Sequence, residues 1–101
     1  QALTYASMFA TNTWVNVDTT YANGTTTIYK NGAQVAQQTG MAPLVTSTSN
    51  TLKIGRYQVG STGWFPGKME EVRIYNRAIS PSEVSANCNA RKGRFSGFTC
   101  N

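Results

Sequence analysis

The chain has no histidine, and of its 101 residues only four are acidic: Asp18, Glu70, Glu71 and Glu83. Without an imidazole there is no Ser-His-Asp or Cys-His arrangement, and general acid-base work falls to carboxylates alone. Glycoside cleavage is the reaction that carboxylates run unaided, and it needs two of them roughly 5 to 10 Å apart across the scissile bond. Glu70 and Glu71 are adjacent in a segment that reads as a strand, so they point to opposite faces and cannot flank one bond. Glu83 has a capping role described below. No catalytic residue is assigned, and the chain is not expected to be an enzyme.

Long apolar runs are missing too. No stretch approaches the roughly 20 residues of a membrane span, so no direct crossing of a bilayer is expected. There are only two cysteines, Cys88 and Cys100, and with no histidine and no second cysteine pair their spacing does not describe a zinc site. It leaves a disulfide or a pair of buried thiols. A disulfide closing so short a loop removes about 3 kcal/mol of unfolded-chain entropy and persists only in an oxidising compartment.

Charge is scarce and unbalanced. Charged residues make up 13% of the chain, and the net charge is +5 with a pI near 9.6, which favours acidic partners. The basic residues are scattered apart from one cluster, Arg91, Lys92 and Arg94. No basic helix and no basic stripe interleaved with aromatics is present, so nucleic acid is not an expected partner. Low charge with abundant Thr, Ser, Asn and Gly suits an extracellular β module.

What the chain does contain is short β segments and tight turns. Residues 14–21 are β-branched and aromatic, Asn23-Gly24 supplies the two positive-φ positions of a type I′ hairpin, 25–29 forms the next strand, and Asn31-Gly32 turns into 33–36. Asn23-Gly24-Thr25 also matches the N-glycosylation pattern, which the turn explains without a sugar. Residues 37–50 read as a connection, 51–57 as a strand, 60–63 as a loop and 69–76 as the last strand, with Val72 and Ile74 facing inward. Ser80-Pro81-Ser82-Glu83 is a capping box that starts a helix of about two turns. Trp64, Phe65 and Tyr57, at or near a glycine-rich loop, offer an aromatic ligand platform, although Trp14 and Trp64 read first as core or seam residues.

Trp14-x-x-Val17, Ile28-Tyr29-Lys30-Asn31-Gly32, Leu52-x-Ile54-Gly55 and, above all, Phe65-x-Gly67-x-Met69-Glu70-Glu71-Val72-Arg73-Ile74-Tyr75-Asn76-Arg77-Ala78-Ile79-Ser80 resemble the C-terminal part of laminin-G-like, concanavalin-A-like jelly-roll domains. The position of Glu70 is more often Asp in that family. The resemblance implies an all-β antiparallel sandwich, a partial jelly roll, to which the residues add one short C-terminal helix and a C-terminal loop expected to be closed by a Cys88–Cys100 disulfide. It implies one domain over residues 1–101 that lacks the family's N-terminal strands. The inner face would then be formed by Val15, Val17, Ile28, Ile54, Val72 and Ile74, with part of its cover coming from elsewhere. Calcium is the family's commonest ligand, and Asp18 and Glu70 are the carboxylates available for it; otherwise no cofactor is expected.

A disulfide-closed loop at the C-terminus also resembles the staple of type IV pilin heads. The expected role is therefore a secreted, non-enzymatic module for interaction at the cell surface with carbohydrate or protein. The alternative is the globular head of a pilus-like filament, completed by a separate helical pilin chain. Tyr57, Trp64, Phe65, Arg91, Lys92 and Arg94 are the candidate ligand or partner surface.

Overall fold

Two Asn-Gly pairs set the register of the sheet. In the computed structural model, which describes residues 3–43, 54, 66–95 and 98–100, Asn23 and Asn31 have φ of 50° and 53°, and Gly24 and Gly32 follow at 80° and 86°. Two successive left-handed residues make the type I′ turn, whose twist matches that of the flanking strands. Strands β1 (Val17–Ala22), β2 (Thr25–Lys30) and β3 (Ala33–Gln38) accordingly form an antiparallel sheet in the order β1-β2-β3. β1 starts three residues later than the sequence predicts. Asn16 leaves the regular ladder for the second turn: its N–H donates to Asn31 Oδ1 at 2.9 Å, and Asn31 N–H donates back to its carbonyl at 2.8 Å.

The register pairs Ile28 with Ala36 but Tyr29 with Gln34, leaving Val35 as the extra residue of a β-bulge. Residues that pair across the strands share a face, so Asp18 and Thr20 lie with Tyr29 and Thr27, and Val17 and Thr19 lie with Lys30 and Ile28. The first of these faces is the buried one. Tyr29 and Thr27 are each 4% exposed, and the Thr27 hydroxyl accepts from Gln37 Nε2 at 3.0 Å. Tyr29 joins Ile79 and Val84 in the core cluster.

This corrects the expected inner face. Val17 is 44% exposed, and Val15 and Ile28 are only half-buried. The alternation Thr-Thr-Thr-Ile-Tyr is nearly symmetric in β-propensity, and the face that closes is the one on which the C-terminal helix lands.

That helix, α1 (Pro81–Arg91), begins as the capping box requires. Glu83 N–H donates to Ser80 Oγ at 3.2 Å, and Ser80 N–H donates to Glu83 Oε1 at 2.8 Å. It runs for 11 residues instead of the expected two turns. Asn87 and Asn89 do not stop it, because Asn89 Nδ2 bonds back to the Ser85 carbonyl at 2.9 Å and Val84 and Cys88, one turn apart and fully buried, anchor its inner face. A 3-10 turn, Lys92–Arg94, follows. Cys88 and Cys100 form a disulfide, with Cα atoms 5.9 Å apart, which settles the choice between bridge and free thiols.

Arg77 grips Glu83 with both guanidinium nitrogens, at 3.0 and 2.7 Å. That bond and the Ser80 N–H hold the Glu83 carboxyl at about 2, well below its ordinary value of 4.5. A carboxyl depressed in this way binds fewer protons folded than unfolded, so its contribution is complete above about pH 4.5 and is lost as the pH falls through about 2. Glu83→Gln keeps the cap and removes the charge. Urea midpoints measured between pH 5 and 2 should therefore fall less steeply in the variant than in the parent chain, and equal slopes would refute the role given to the Arg77 bridge.

The chain divides into two compact units, Gln1–Pro43 with Tyr75–Asn101, and Leu44–Ile74. All the elements above belong to the first. In the second, the described residues 66–74 carry no strand, contrary to the expectation for 69–76. Ile54, Val72 and Ile74 are 53%, 54% and 70% exposed, so they do not form an inner face. Glu71 takes a left-handed φ of 60°, which breaks the extended chain and with it the alternation of sides. Its carboxylate meets Arg73 at 3.4 Å, an exposed ion pair worth under about 1 kcal/mol. The strand expected at 51–57 lies, apart from Ile54, outside the described residues, as does the loop at 60–63.

Candidate ligand-binding surface

The C-terminal end of α1 gathers the sequence's basic cluster. Arg91 occupies the last helical turn and is half-buried. Its Nη1 donates to the Asn87 carbonyl at 2.7 Å, where a cation complements the negative end of the helix dipole. Lys92 and Arg94 lie one and three residues further on, in the 3-10 turn, and both are exposed. The Lys92 N–H caps the helix by donating to the Cys88 carbonyl.

Two aromatic residues stand beside these cations. The Phe95 ring lies 4.8 Å from that of Trp14, tilted by 46°, in the range where aromatic pairs attract. The Arg94 guanidinium carbon is 5.8 Å from the Phe95 centroid, a cation-π distance. Both rings are half-buried. Trp14 thus sits at a seam, as its sequence context suggested. Phe95 was not singled out in the sequence; the signal was its place within the loop that Cys88 and Cys100 close, which returns it toward the sheet.

Asp18, on β1, faces the same helix end. Its carboxylate accepts from Asn16 Nδ2 at 2.6 Å. Burial raises its pKa, while the Asn16 bond and the charge of Arg91 act in the opposite direction. Among the described residues no group of three or more His, Cys, Asp or Glu side chains gathers to hold a metal. Glu70 is exposed within Leu44–Ile74. Of the other expected surface residues, Tyr57, Trp64 and Phe65 lie outside the described residues. The structure therefore brings Arg91, Lys92 and Arg94 together with Trp14 and Phe95. Among the described residues no helix is long and apolar enough to cross a membrane.

Residues 1–85 match a family model of the laminin G type, described as the concanavalin A-like lectin/glucanases superfamily. No curated protein matches the chain. Among solved structures, an S-layer domain-containing protein from Clostridium thermocellum is similar at 26% identity and a TM-score of 0.69. The similarity covers 82% of this chain and 42% of that one, so the chain spans less than half the length of that structure. The basic turn and Phe95 lie beyond the residues that the family model matches.

Proposed function

This chain belongs to the concanavalin A-like lectin/glucanases superfamily, and from that premise we propose that it is a non-catalytic extracellular module that grips a carbohydrate or a protein at the cell surface. The superfamily's description joins proteins that bind sugars with proteins that cleave them, and the carboxylates favour binding. Glu83 is committed to Arg77 and the helix cap, Glu71 meets Arg73, and Asp18 accepts from Asn16. Cleavage needs two carboxyls set across one bond, and there is no histidine to replace either of them. The Cys88–Cys100 bridge supports an oxidising compartment.

The superfamily match over residues 1–85 carries this reading. Its test is to mix the full chain with intact cells of its source and with a panel of glycans. The chain should sediment with the cells and release no reducing ends. Sugar release would overturn the non-catalytic role, and a chain left wholly in the supernatant would overturn the surface role.

The similarity to an S-layer domain-containing protein favours a second reading, a structural subunit of a surface assembly, pilus-like filaments included, completed by another protein chain. Native purification followed by mass spectrometry separates the two. A second chain in stoichiometric amount supports assembly, and a lone folded monomer supports the binding module.

A further inference from the structure

We propose that the first hairpin turn is a site of spontaneous chemical modification: Asn23 closes a succinimide ring with Gly24, loses its amide as ammonia and becomes aspartate or isoaspartate, while Asn31, in an identical dipeptide, is protected by the fold. The reaction needs only water, so it stands apart from the binding role proposed above.

The sequence supplies two candidates. Glycine follows asparagine only at 23–24 and 31–32. In such a pair the backbone nitrogen of the glycine attacks the side-chain carbonyl carbon, Cγ, of the asparagine. A residue without a Cβ neither shields its own nitrogen nor resists the backbone rotation that brings it up to Cγ. The N–Cγ bond forms as that nitrogen gives up its proton to solvent, and the Cγ–Nδ2 bond breaks as ammonia leaves with a proton from solvent. Water then opens the ring at one of its two carbonyls. Opening at Cγ leaves aspartate; opening at the main-chain carbonyl leaves isoaspartate, in which the chain runs through Cγ. No oxidant or reductant takes part.

The structure separates the two pairs. Backbone conformation does not distinguish them, since the asparagines have φ of 50° and 53° and the glycines 80° and 86°. What differs is the hold on the asparagine. Asn31 is half-buried, its Oδ1 accepts from Asn16 N–H at 2.9 Å, and its own N–H donates to the Asn16 carbonyl at 2.8 Å. Its Cγ cannot swing toward Gly32 without breaking the first bond, and the turn cannot open without breaking the second. Asn23 is exposed, and among the described residues its side-chain amide makes no hydrogen bond. Met41 N–H donates to the Gly24 carbonyl at 2.8 Å, on the far side of Gly24 from the nitrogen that reacts.

Ring closure takes the asparagine out of its left-handed conformation, so it proceeds through local opening of the hairpin tip. At the usual net worth of a hydrogen bond, the two bonds that clasp Asn31 slow its opening by about tenfold or more. The product in turn alters the sheet. Two positive-φ residues fix the loop that sets β1 against β2; isoaspartate lengthens that loop by one backbone carbon, and both products add a negative charge at its tip.

The test is incubation of the full chain at about pH 8 and about 37 °C for several weeks, followed by trypsin digestion and mass spectrometry. Cleavage after Lys30 puts Asn23 and Asn31 on separate peptides, and electron-transfer fragmentation locates the change and tells isoaspartate from aspartate. Asn23 should deamidate at least about tenfold faster than Asn31 in the folded chain, and in concentrated urea the two rates should converge. The isolated isoaspartate form should unfold at a lower urea midpoint than the fresh chain. Equal rates in the folded chain, a faster change at Asn31 or an unaltered Asn23 would each refute the proposal. A difference that persists in urea would trace to local sequence and remove the protective role of the Asn16–Asn31 clasp.

Discussion

Replacing Cys88 and Cys100 together with alanine is expected to lower the melting temperature by about 12 to 24 °C. The bridge spans a sequence separation of 12; opening a loop of that size returns about 3 kcal/mol of entropy to the unfolded chain, and each kcal/mol moves the midpoint of a domain this small by about 4 to 8 °C. Alanine is the right replacement because Cys88 is fully buried, and a serine hydroxyl there would add a desolvation cost unrelated to the loop. Calorimetry of the double variant, and of the parent chain with and without reductant, makes the measurement. A midpoint within about 2 °C of the oxidised parent would mean that the loop is held by packing alone, with Phe95 on Trp14 as the contact responsible.

The second large effect separates the two faces of the sheet. Tyr29→Ala should cost about 3 to 5 kcal/mol, the range for deleting a buried ring. Tyr29 is 4% exposed and packs with Ile79 and the fully buried Val84. Domains of this size are stable by about 5 to 15 kcal/mol in total, so the loss takes a large share of that stability and should lower the urea midpoint sharply. Its neighbour Ile28 points to the opposite face and is half-buried, so Ile28→Ala should cost only about 1 to 2 kcal/mol. Urea denaturation of both variants, with Tyr29→Phe as a control that keeps the ring, decides the matter. A greater loss at Ile28 than at Tyr29 would reverse the assignment of the core to the helix-covered face.

That pair of variants marks where reading the sequence stopped being sufficient. Both hairpins were legible because Asn23-Gly24 and Asn31-Gly32 have backbone preferences that act within four residues, and the observed φ values are those preferences realised. The helix start was legible for the same reason, since Ser80 and Glu83 satisfy each other's N–H groups whatever surrounds them. Two cysteines with no competing ligand set narrowed Cys88 and Cys100 to a bridge or a pair of buried thiols, and the geometry of the folded chain closes the bridge. The length of α1 was not legible, because the asparagines that weaken it locally are outweighed by Val84 and Cys88, whose burial depends on the sheet. The inward direction expected of Val72 and Ile74 presumed an unbroken strand, and the left-handed Glu71 interrupts it.

The candidate site divides in the same way. The cluster of Arg91, Lys92 and Arg94 is plain in the sequence, but nothing local says that Arg91 turns to a helix carbonyl while its neighbours face outward. Trp14 and Phe95 are 81 positions apart and meet at 4.8 Å. By itself, the sequence determined the turns, the cap and the charge, all of which arise from interactions among near neighbours or from composition. Only the tertiary structure decided which face of the sheet is core and which aromatic stands beside the cations. Alternating β residues serve either face equally well until the helix buries one of them, and contact between distant residues is set by how the whole chain packs.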